Sequence, residues 1–395
     1  MSKVWYAPNR KQAYNDDEIQ AVVDCLNAGW LAPGPLTAEF EKQVCDKFGK
    51  KFGLFVNSGS SANMLAYICA DVEKGVEVIT PACTFSTTMA PLAQLEAKVI
   101  FCDVAPNCYV PTVDQIVNVI TPNTKVISIP NLVGNKINWK QLRDRLKQIN
   151  RLDIVLFEDS CDTMTYTLDS DISTCSFYAS HIITAGGTGG IVMFNDEKLY
   201  RKALCIRDWG RAGSNNEDFA ERFNHGIIDG IQYDWKFIYS EFGYNFKASE
   251  MNCAFGLVQM KKLPEFERIR AQHFDHYMRL LKADPIASKY YKVPETLTNE
   301  RILWLALPLA CPDRTEVIHF LEDNNVQTRV TMAGNILRHP IYAKKFAEEA
   351  KKEFPVSDQV MREGFLIGCH HGLTSEDVER VCALLIQFAK DHYKD

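Results

Sequence analysis

The chain lacks the features that mark several large classes of protein. Lysine and arginine are scattered without a sustained basic run and the formal net charge is −6, so nucleic acid is not an expected partner. No uninterrupted apolar run approaches membrane-spanning length, and the first residues have no apolar signal-peptide core. These absences predict a cytoplasmic protein with no membrane partner.

Cysteine is present, but without the spacing of a disulfide framework or a metal site. The 13 cysteines lie mostly in apolar segments, and no CxxC pair occurs. His273 and His276 are three positions apart on a predicted helix, but no third ligand accompanies them, so a solvated helix face is the better explanation. We therefore expect reduced thiols and no bound metal.

The alternation of segments predicts an α/β fold with two domains. The chain has 395 residues, 46% of them hydrophobic, which is enough for a large core. Short apolar runs rich in β-branched residues alternate with helical patterns, which favours a large, mostly parallel sheet domain over residues 1–260 and a smaller α+β domain over residues 261–395. The predicted strands of the large domain are Lys51–Val56, Val76–Thr80, Lys98–Cys102, Lys125–Ile129, Asp153–Glu158, Thr174–Tyr178 and Gly190–Phe194. The predicted helices are Ser61–Ala70, Thr87–Leu95, Trp139–Gln148, Glu197–Arg207 and the long connector Met251–Lys282. Beyond the connector, the segments Arg301–Cys311 and Val326–Thr331 and two terminal helices form the smaller domain.

Three segments could bind a planar, phosphorylated ligand. Gly59 and Ser60 follow a strand and open a helix, where backbone N–H groups suit a phosphate, although ordinary helix capping explains the pattern equally well. Asp159 ends a buried strand and could pair with a protonated ring nitrogen, or it could cap a helix. Phe85 could stack on a planar ring or pack in the core.

The order and spacing of these segments resemble the sugar aminotransferase and dehydratase family of fold-type I proteins, which use pyridoxal phosphate (PLP). The resemblance runs from about Asp17 to the C-terminus. Its pieces are Gly29–Leu31 with Gly34, Ser58–Ala62, Thr80–Pro81 with Phe85, Glu158–Asp159, Ser176–Tyr178, Gly243–Lys247 and Gly334–Arg338.

By matched position, the resemblance implies a role for each of several residues. Gly59, Ser60 and Ser176 would hold the cofactor phosphate, while Phe85 would cover one ring face. Asp159 would bind the ring nitrogen, and Asp162 would lie near the ring hydroxyl. Asn245 would reach the phosphate of the neighbouring subunit, which implies a homodimer with shared active sites.

His181 stands where members of this family normally carry the lysine that binds PLP covalently. An imidazole cannot form that bond, but it can move protons near neutral pH. Histidine here, together with Gly334–Arg338, resembles the nucleotide-sugar 3-dehydratases. One branch of these takes iron–sulfur ligands from the segment after Arg207–Arg211, but this chain has no cysteine between Cys205 and Cys253. The cluster-free branch, which resembles GDP-4-keto-6-deoxymannose 3-dehydratase, is therefore expected.

This branch implies a lyase that uses PLP and its amine form, pyridoxamine phosphate (PMP). It would remove the C3 hydroxyl of a nucleotide-diphosphate 4-keto-6-deoxy sugar, with GDP favoured by likeness alone and L-glutamate restoring PMP. His181 would act as acid and base, and Trp30 would line the sugar pocket. Asn335 and Arg338 are the candidates for substrate binding, since the guanidinium of Arg338 suits a diphosphate; a surface-loop position is the alternative for Arg338. Two other functions stay open: an aminotransferase that uses another lysine, with Lys247 the nearest candidate, and a sugar-nucleotide-binding member without catalysis.

Overall fold

The structure is a computed structural model that describes residues 2–8, 10–213, 219–224 and 226–393. The α-helices in these ranges are α1 Arg10–Ala13, α2 Asp16–Ala28, α3 Pro35–Phe48, α4 Gly59–Cys69, α5 Ser86–Gln94, α6 Val113–Val117, α7 Trp139–Gln148, α8 Glu197–Arg207, α9 Phe219–Asn224, α10 Glu250–Ala283, α11 Ala287–Tyr290, α12 Arg314–Asp323, α13 Pro340–Lys345, α14 Ala347–Ala350, α15 Pro355–Glu363 and α16 Ser375–His392. The strands are β1 Phe52–Val56, β2 Glu77–Pro81, β3 Lys98–Cys102, β4 Thr124–Pro130, β5 Val155–Asp159, β6 Ile172–Ser176, β7 Gly190–Phe194, β8 Ile227–Ile228, β9 Ile231–Gln232, β10 Ala306–Ala310, β11 Thr328–Val330 and β12 Gly364–Gly368.

Seven strands form the large sheet in the order β1-β7-β6-β5-β4-β2-β3. Strand β7 is antiparallel to both β1 and β6, whereas the pairs from β6 to β3 are parallel. Apolar side chains on both faces are buried because helices cover the sheet on each side. On one face, Tyr67 of α4 is fully buried and its hydroxyl lies 2.7 Å from Ser128 Oγ of β4. The predicted α/β fold with a mostly parallel sheet is confirmed.

Three antiparallel strands form the smaller sheet, in the order β10-β12-β11. A segment from the start of the chain extends this sheet, because Val4 pairs with Val326 in a parallel bridge. The backbone N–H of Tyr6 also donates to Gln327 Oε1 at 3.1 Å. These contacts place Tyr6 beside β11, far in sequence from the residues around it.

Helix α10 connects the two sheets and is 34 residues long. Its first residue, Glu250, is buried and accepts hydrogen bonds from the backbone of Gly34, Leu36 and Thr37 at 2.8, 2.6 and 3.1 Å. The carboxylate therefore satisfies the free N–H groups at the start of α3. The boundary predicted at residue 260 lies inside α10 and stays a prediction.

Within the described residues, the helices do not include one that is both long enough and apolar enough to cross a bilayer.

Candidate active site

A cavity of about 510 Å³ opens at the carboxyl edge of the large sheet, where it meets the smaller sheet. The carboxyl ends of parallel strands are the usual place for ligands in α/β proteins, because chain turns and helix starts converge there. Seven residues predicted to bind cofactor or to act in catalysis line this one cavity: Gly59, Ser60, Phe85, Asp159, Asp162, Ser176 and His181.

The start of α4 lies in the wall of the cavity, where its backbone N–H groups could hold an anion. Ser58 caps the helix by accepting a hydrogen bond from the Ser61 N–H at 3.1 Å, so the N–H groups of Gly59 and Ser60 are directed past the helix end. Gly59 is required by space, since a Cβ there would lie 2.8 Å from both Cys161 Sγ and Ser176 Cβ. The glycine lets the helix start approach the end of β6, which brings the Ser176 hydroxyl to the same wall.

Asp159 ends β5 and is surrounded by hydrogen-bond donors. Its Oδ2 accepts from Asn63 Nδ2 at 2.8 Å and from Thr88 Oγ1 at 2.7 Å, while Oδ1 accepts from the Cys161 N–H at 3.1 Å. Donors on both oxygens suit the ionised carboxylate, which can only accept. A fixed anion at this position is the partner that a protonated pyridine nitrogen requires.

His181 lies in the loop between β6 and β7. Burial lowers the pKa of His181 to about 4, so the imidazole is neutral at pH 7. Its Nδ1 is buried and has no hydrogen-bond partner in the part of the chain that the structure describes. A neutral ring with a free nitrogen in a cavity wall can exchange a proton with a bound molecule.

Phe85 and Asp162 lie in the wall of the same cavity. Phe85 is 49% exposed although it is large and apolar, and it lies at the N-terminus of α5. This exposure leaves one ring face available for stacking. Burial raises the pKa of Asp162 to about 7, and its carboxylate accepts a hydrogen bond from the Val133 N–H at 2.8 Å. Asp162 can therefore donate or accept a proton near neutral pH.

The structure does not bring the three predicted substrate-binding residues to the cavity. Trp30 is 56% exposed, and its indole lies 3.5 Å from the Pro33 carbonyl oxygen. Arg338 forms a two-point contact with Asp358 at 2.8 Å for each bond, and Asn335 donates to the same carboxylate at 2.8 Å. These contacts hold the Gly334–Arg338 segment in place, and they give no support to diphosphate binding by Arg338 or Asn335.

Asn245 and Lys247 lie outside the cavity of their own chain. Asn245 pairs with Asp208 in an antiparallel bridge, so its predicted role in the partner's site stays a prediction. The Lys247 ammonium lies 3.0 Å from Asp208 Oδ2 and 4.5 Å from the Trp209 ring centroid. Among the described residues that line the cavity, Arg329 is the single lysine or arginine.

Several residues of the cavity wall were not predicted from the sequence. Asn63 and Thr88 could have been found, because they follow Gly59 and Phe85 by four and three positions, spacings that place side chains on one face of a helix. The chain offers no comparable signal for Tyr6, which reaches the cavity only because the start of the chain pairs beside β11.

Metal-binding side chains do not cluster in the described ranges: no group of three histidine, cysteine, aspartate or glutamate residues there could hold an ion. All 13 cysteines are described and carry free thiols, and most are buried. Residues 214–218 and 225 of the segment between Cys205 and Cys253 lie outside the described residues.

A comparison with known families accounts for this arrangement. Residues 12–386 match the model of the DegT/DnrJ/EryC1/StrS aminotransferase family. The chain belongs to this family. The resemblance that the sequence motifs indicated is thereby confirmed over nearly the whole chain.

Relatives within the DegT/DnrJ/EryC1/StrS family carry out more than one reaction. The chain is 31% identical to the lipopolysaccharide biosynthesis protein RfbH of Salmonella typhimurium, covering 94% of this chain and 89% of the relative. It is 25% identical to dTDP-4-dehydro-2,3,6-trideoxy-D-glucose 4-aminotransferase of Saccharopolyspora spinosa, covering 95% of each. A solved structure of E. coli GDP-4-keto-6-deoxy-D-mannose-3-dehydratase with bound hydrated PLP matches with a TM-score of 0.84 and 25% identity, covering 98% of this chain and 100% of that one.

The close approach at Gly59 leads to a testable prediction. Gly59→Ala places a methyl group against Cys161 and Ser176, so it should lower the free energy of unfolding by about 1–3 kcal/mol and weaken PLP binding. Chemical denaturation and a fluorescence titration with PLP measure the two effects. Ser60→Ala is the control, since it removes a hydroxyl without adding bulk and should leave stability within about 0.5 kcal/mol of the wild type. Equal stability and equal PLP affinity for Gly59→Ala and wild type would contradict both the close approach at Gly59 and its predicted role in PLP binding.

Proposed function

We propose that this chain is a nucleotide-sugar 3-dehydratase that works with PMP. Its substrate would be a nucleotide-diphosphate 4-keto-6-deoxyhexose, with GDP favoured, and L-glutamate would restore PMP. Membership of the family supports the broader statement that the chain is a PLP-dependent enzyme acting on nucleotide sugars. The observation that carries the narrower proposal is His181, a neutral imidazole in the cavity wall where no described lysine is present.

The residues of the cavity fit the cofactor. The N–H groups of Gly59 and Ser60 and the hydroxyl of Ser176 would hold its phosphate, Phe85 would cover one ring face, and Asp159 would keep the ring nitrogen protonated. When bound as PMP, the cofactor supplies an amine that condenses with the C4 ketone and a ring that accepts electron density.

His181 carries the proton transfers. Because the imidazole is neutral at pH 7, a ring nitrogen can accept a proton inside the cavity. The resulting imidazolium can return that proton to the C3 hydroxyl as it leaves, so one side chain acts first as base and then as acid. Lysine would instead bind the cofactor covalently and favour amino transfer.

A second copy of this chain is the proposed partner, and it would place Asn245 in the neighbouring site. Large apolar side chains are exposed on the segment just before Asn245, among them Phe242 at 101%, Tyr239 at 57% and Phe237 at 49%. Exposed aromatic groups in such number mark a protein interface. Sedimentation equilibrium should give twice the chain mass, and a monomer at micromolar concentration would count against shared active sites.

The alternative reaction is amino transfer with another lysine, which the family relatives make worth testing. Lys247 is poorly placed for it, because its ammonium pairs with Asp208 and lies against Trp209.

One assay separates these reactions. The enzyme is incubated with PLP, L-glutamate and GDP-, CDP- and dTDP-4-keto-6-deoxyhexoses, and the products are identified by their masses in mass spectrometry. A product that has lost the C3 hydroxyl oxygen and keeps a C4 ketone is expected. A 4-amino sugar that keeps its C3 hydroxyl, or borohydride trapping of PLP on a lysine, would favour the aminotransferase. PLP binding with no change in any sugar would favour a binding protein without catalysis.

Substitutions at His181 test the base directly. His181→Asn should lower dehydration about 100-fold or more while PMP still binds, because an amide cannot accept a proton. His181→Lys should yield PLP that borohydride fixes to residue 181, detected in the peptide mass. Dehydration by His181→Asn at a rate near that of wild type would show that another group takes the proton.

Stability gives a second readout that does not depend on turnover. Burial lowers the pKa of His181 from its ordinary 6.5 to about 4 in the folded protein. The part of the free energy of unfolding that depends on a neutral His181 is therefore fully present above pH 6.5, and it is lost as the pH falls toward 4. Between these values, wild type should lose stability relative to His181→Asn, by at most about 1.4 kcal/mol per pH unit. His319→Asn, at an exposed position on α12, is the matched control and should follow the wild type. If stability changes with pH in the same way for His181→Asn and wild type, the pKa of His181 is not lowered by folding, and the side chain is in contact with solvent.

A further inference from the structure

A second cavity, of about 230 Å³, lies beside helix α10. Residues 270, 271, 274 and 275 of this helix line it, together with residues 296 and 300–304. None of the described residues lines both this cavity and the candidate active site. The proposed reaction therefore gives the second cavity no role.

Arg270 is a fully buried cation with unused donors in the wall of this cavity. Its Nη1 donates to the carbonyl oxygens of Trp304, Leu305 and Cys369 at 3.4, 3.1 and 3.4 Å. Its Nε and Nη2 are buried and have no hydrogen-bond partner in the described part of the chain. These two nitrogens lie on the same edge of the guanidinium, where their N–H bonds are parallel and form a fork for one acceptor group. Buried donors are rarely left unbonded, so a ligand in the fork is expected.

The groups around Arg270 do not balance its positive charge. Burial lowers the pKa of Arg270 to about 10, so the guanidinium is still charged at pH 7. Burial raises the pKa of the Cys369 thiol to about 12 and raises that of the Tyr6 hydroxyl well above its ordinary value, so both groups are neutral. Burial, reinforced by Arg270, lowers the pKa of His370 to about 3 and that of His371 to about 2, so these rings are neutral as well. Arg270 is therefore a charge among neutral neighbours, which is unfavourable in a protein interior.

The two acidic side chains that line the cavity are already paired with other cations. Asp275 lies 2.5 Å from Arg301, and Glu300 lies 2.5 Å from the Lys136 ammonium. Asp275, Arg301 and Glu300 are also largely exposed, so they form an open rim through which an ion can enter from solvent. The charges of the rim cancel in pairs, and the charge of Arg270 remains.

We propose that the second cavity binds one small monovalent anion, such as chloride, in the fork formed by Nε and Nη2 of Arg270. A water molecule would accept the same hydrogen bonds but would leave the guanidinium uncompensated, and a divalent anion would replace one excess charge by the opposite one. The bound ion would stabilise the contact that Arg270 makes between α10 and the backbone of Trp304 and Leu305. This site is independent of the proposed reaction.

Crystals of the wild-type protein grown in sodium bromide test the site directly. Bromide stands in for chloride and is located by its anomalous scattering. A bromide peak within hydrogen-bonding reach of Nε and Nη2 of Arg270 is expected. A map that shows water in the fork, or a fork filled by a side chain, with no anomalous signal there, would overturn the proposal. Because the wild type is used, this result does not depend on whether a variant folds.

Thermal unfolding gives a second readout in solution. When sodium bromide replaces sodium gluconate at constant ionic strength, the melting temperature of the wild type should rise by roughly 1–3 °C along a saturating curve, because an ion that binds only the folded state stabilises it. Arg270→Met removes the charge and the fork, so the saturating rise should disappear. Arg270→Lys keeps the charge without the fork and should need a bromide concentration roughly 3- to 30-fold higher.

Arg268→Gln is the matched control on the same helix. Arg268 is exposed and pairs with Glu265, so this variant should respond to bromide as the wild type does. The same saturating rise in Arg270→Met and wild type would show that the anion binds elsewhere and would overturn the assignment. If neither variant at Arg270 folds, the bromide map of the wild type decides.

Discussion

The candidate site depends on the buried carboxylate of Asp159. Its two oxygens accept hydrogen bonds from Asn63 on α4 and Thr88 on α5, and from the turn that follows β5. Because an ionised carboxylate in the interior is stable only when donors surround it, these bonds fix the two helix starts relative to the sheet. The start of α4 and the exposed ring of Phe85 are positioned by the same network. His181 adds to this wall a neutral imidazole whose Nδ1 has no hydrogen-bond partner among the described residues.

Much of the large domain could be predicted because its segments have clear periodicity. The predicted bounds Trp139–Gln148 and Glu197–Arg207 agree with α7 and α8, and strands β3 and β7 also have the predicted bounds. Most of the predicted strands are continuous apolar runs, as expected for strands buried on both faces. Asp159 was found for the same reason, because it directly follows the predicted strand Asp153–Glu158. Ser176 lay inside the predicted strand Thr174–Tyr178 and was found through the resemblance; in the structure it ends β6.

The smaller domain and its share of the site were harder to predict. Strand β12 lies at the centre of its sheet but has only five residues, Gly364–Gly368, with a glycine at each end, so it lacks a distinct pattern. Arg338 was predicted to bind substrate because a guanidinium suits a diphosphate. Sequence could not reveal that Asp358, twenty positions away, holds its donors. Tyr6 and Arg329 meet through tertiary pairing alone.

The pairing of Val4 with Val326 makes one wall of the cavity a composite of both ends of the chain. Tyr6 lies beside the strands of the smaller sheet that carry Arg329 and Leu366, whereas Asp159 ends a strand of the larger sheet and Gly59 starts helix α4. Loss of the pairing between Val4 and Val326 would therefore move the Tyr6 ring away from the Arg329 guanidinium and change the shape of this wall.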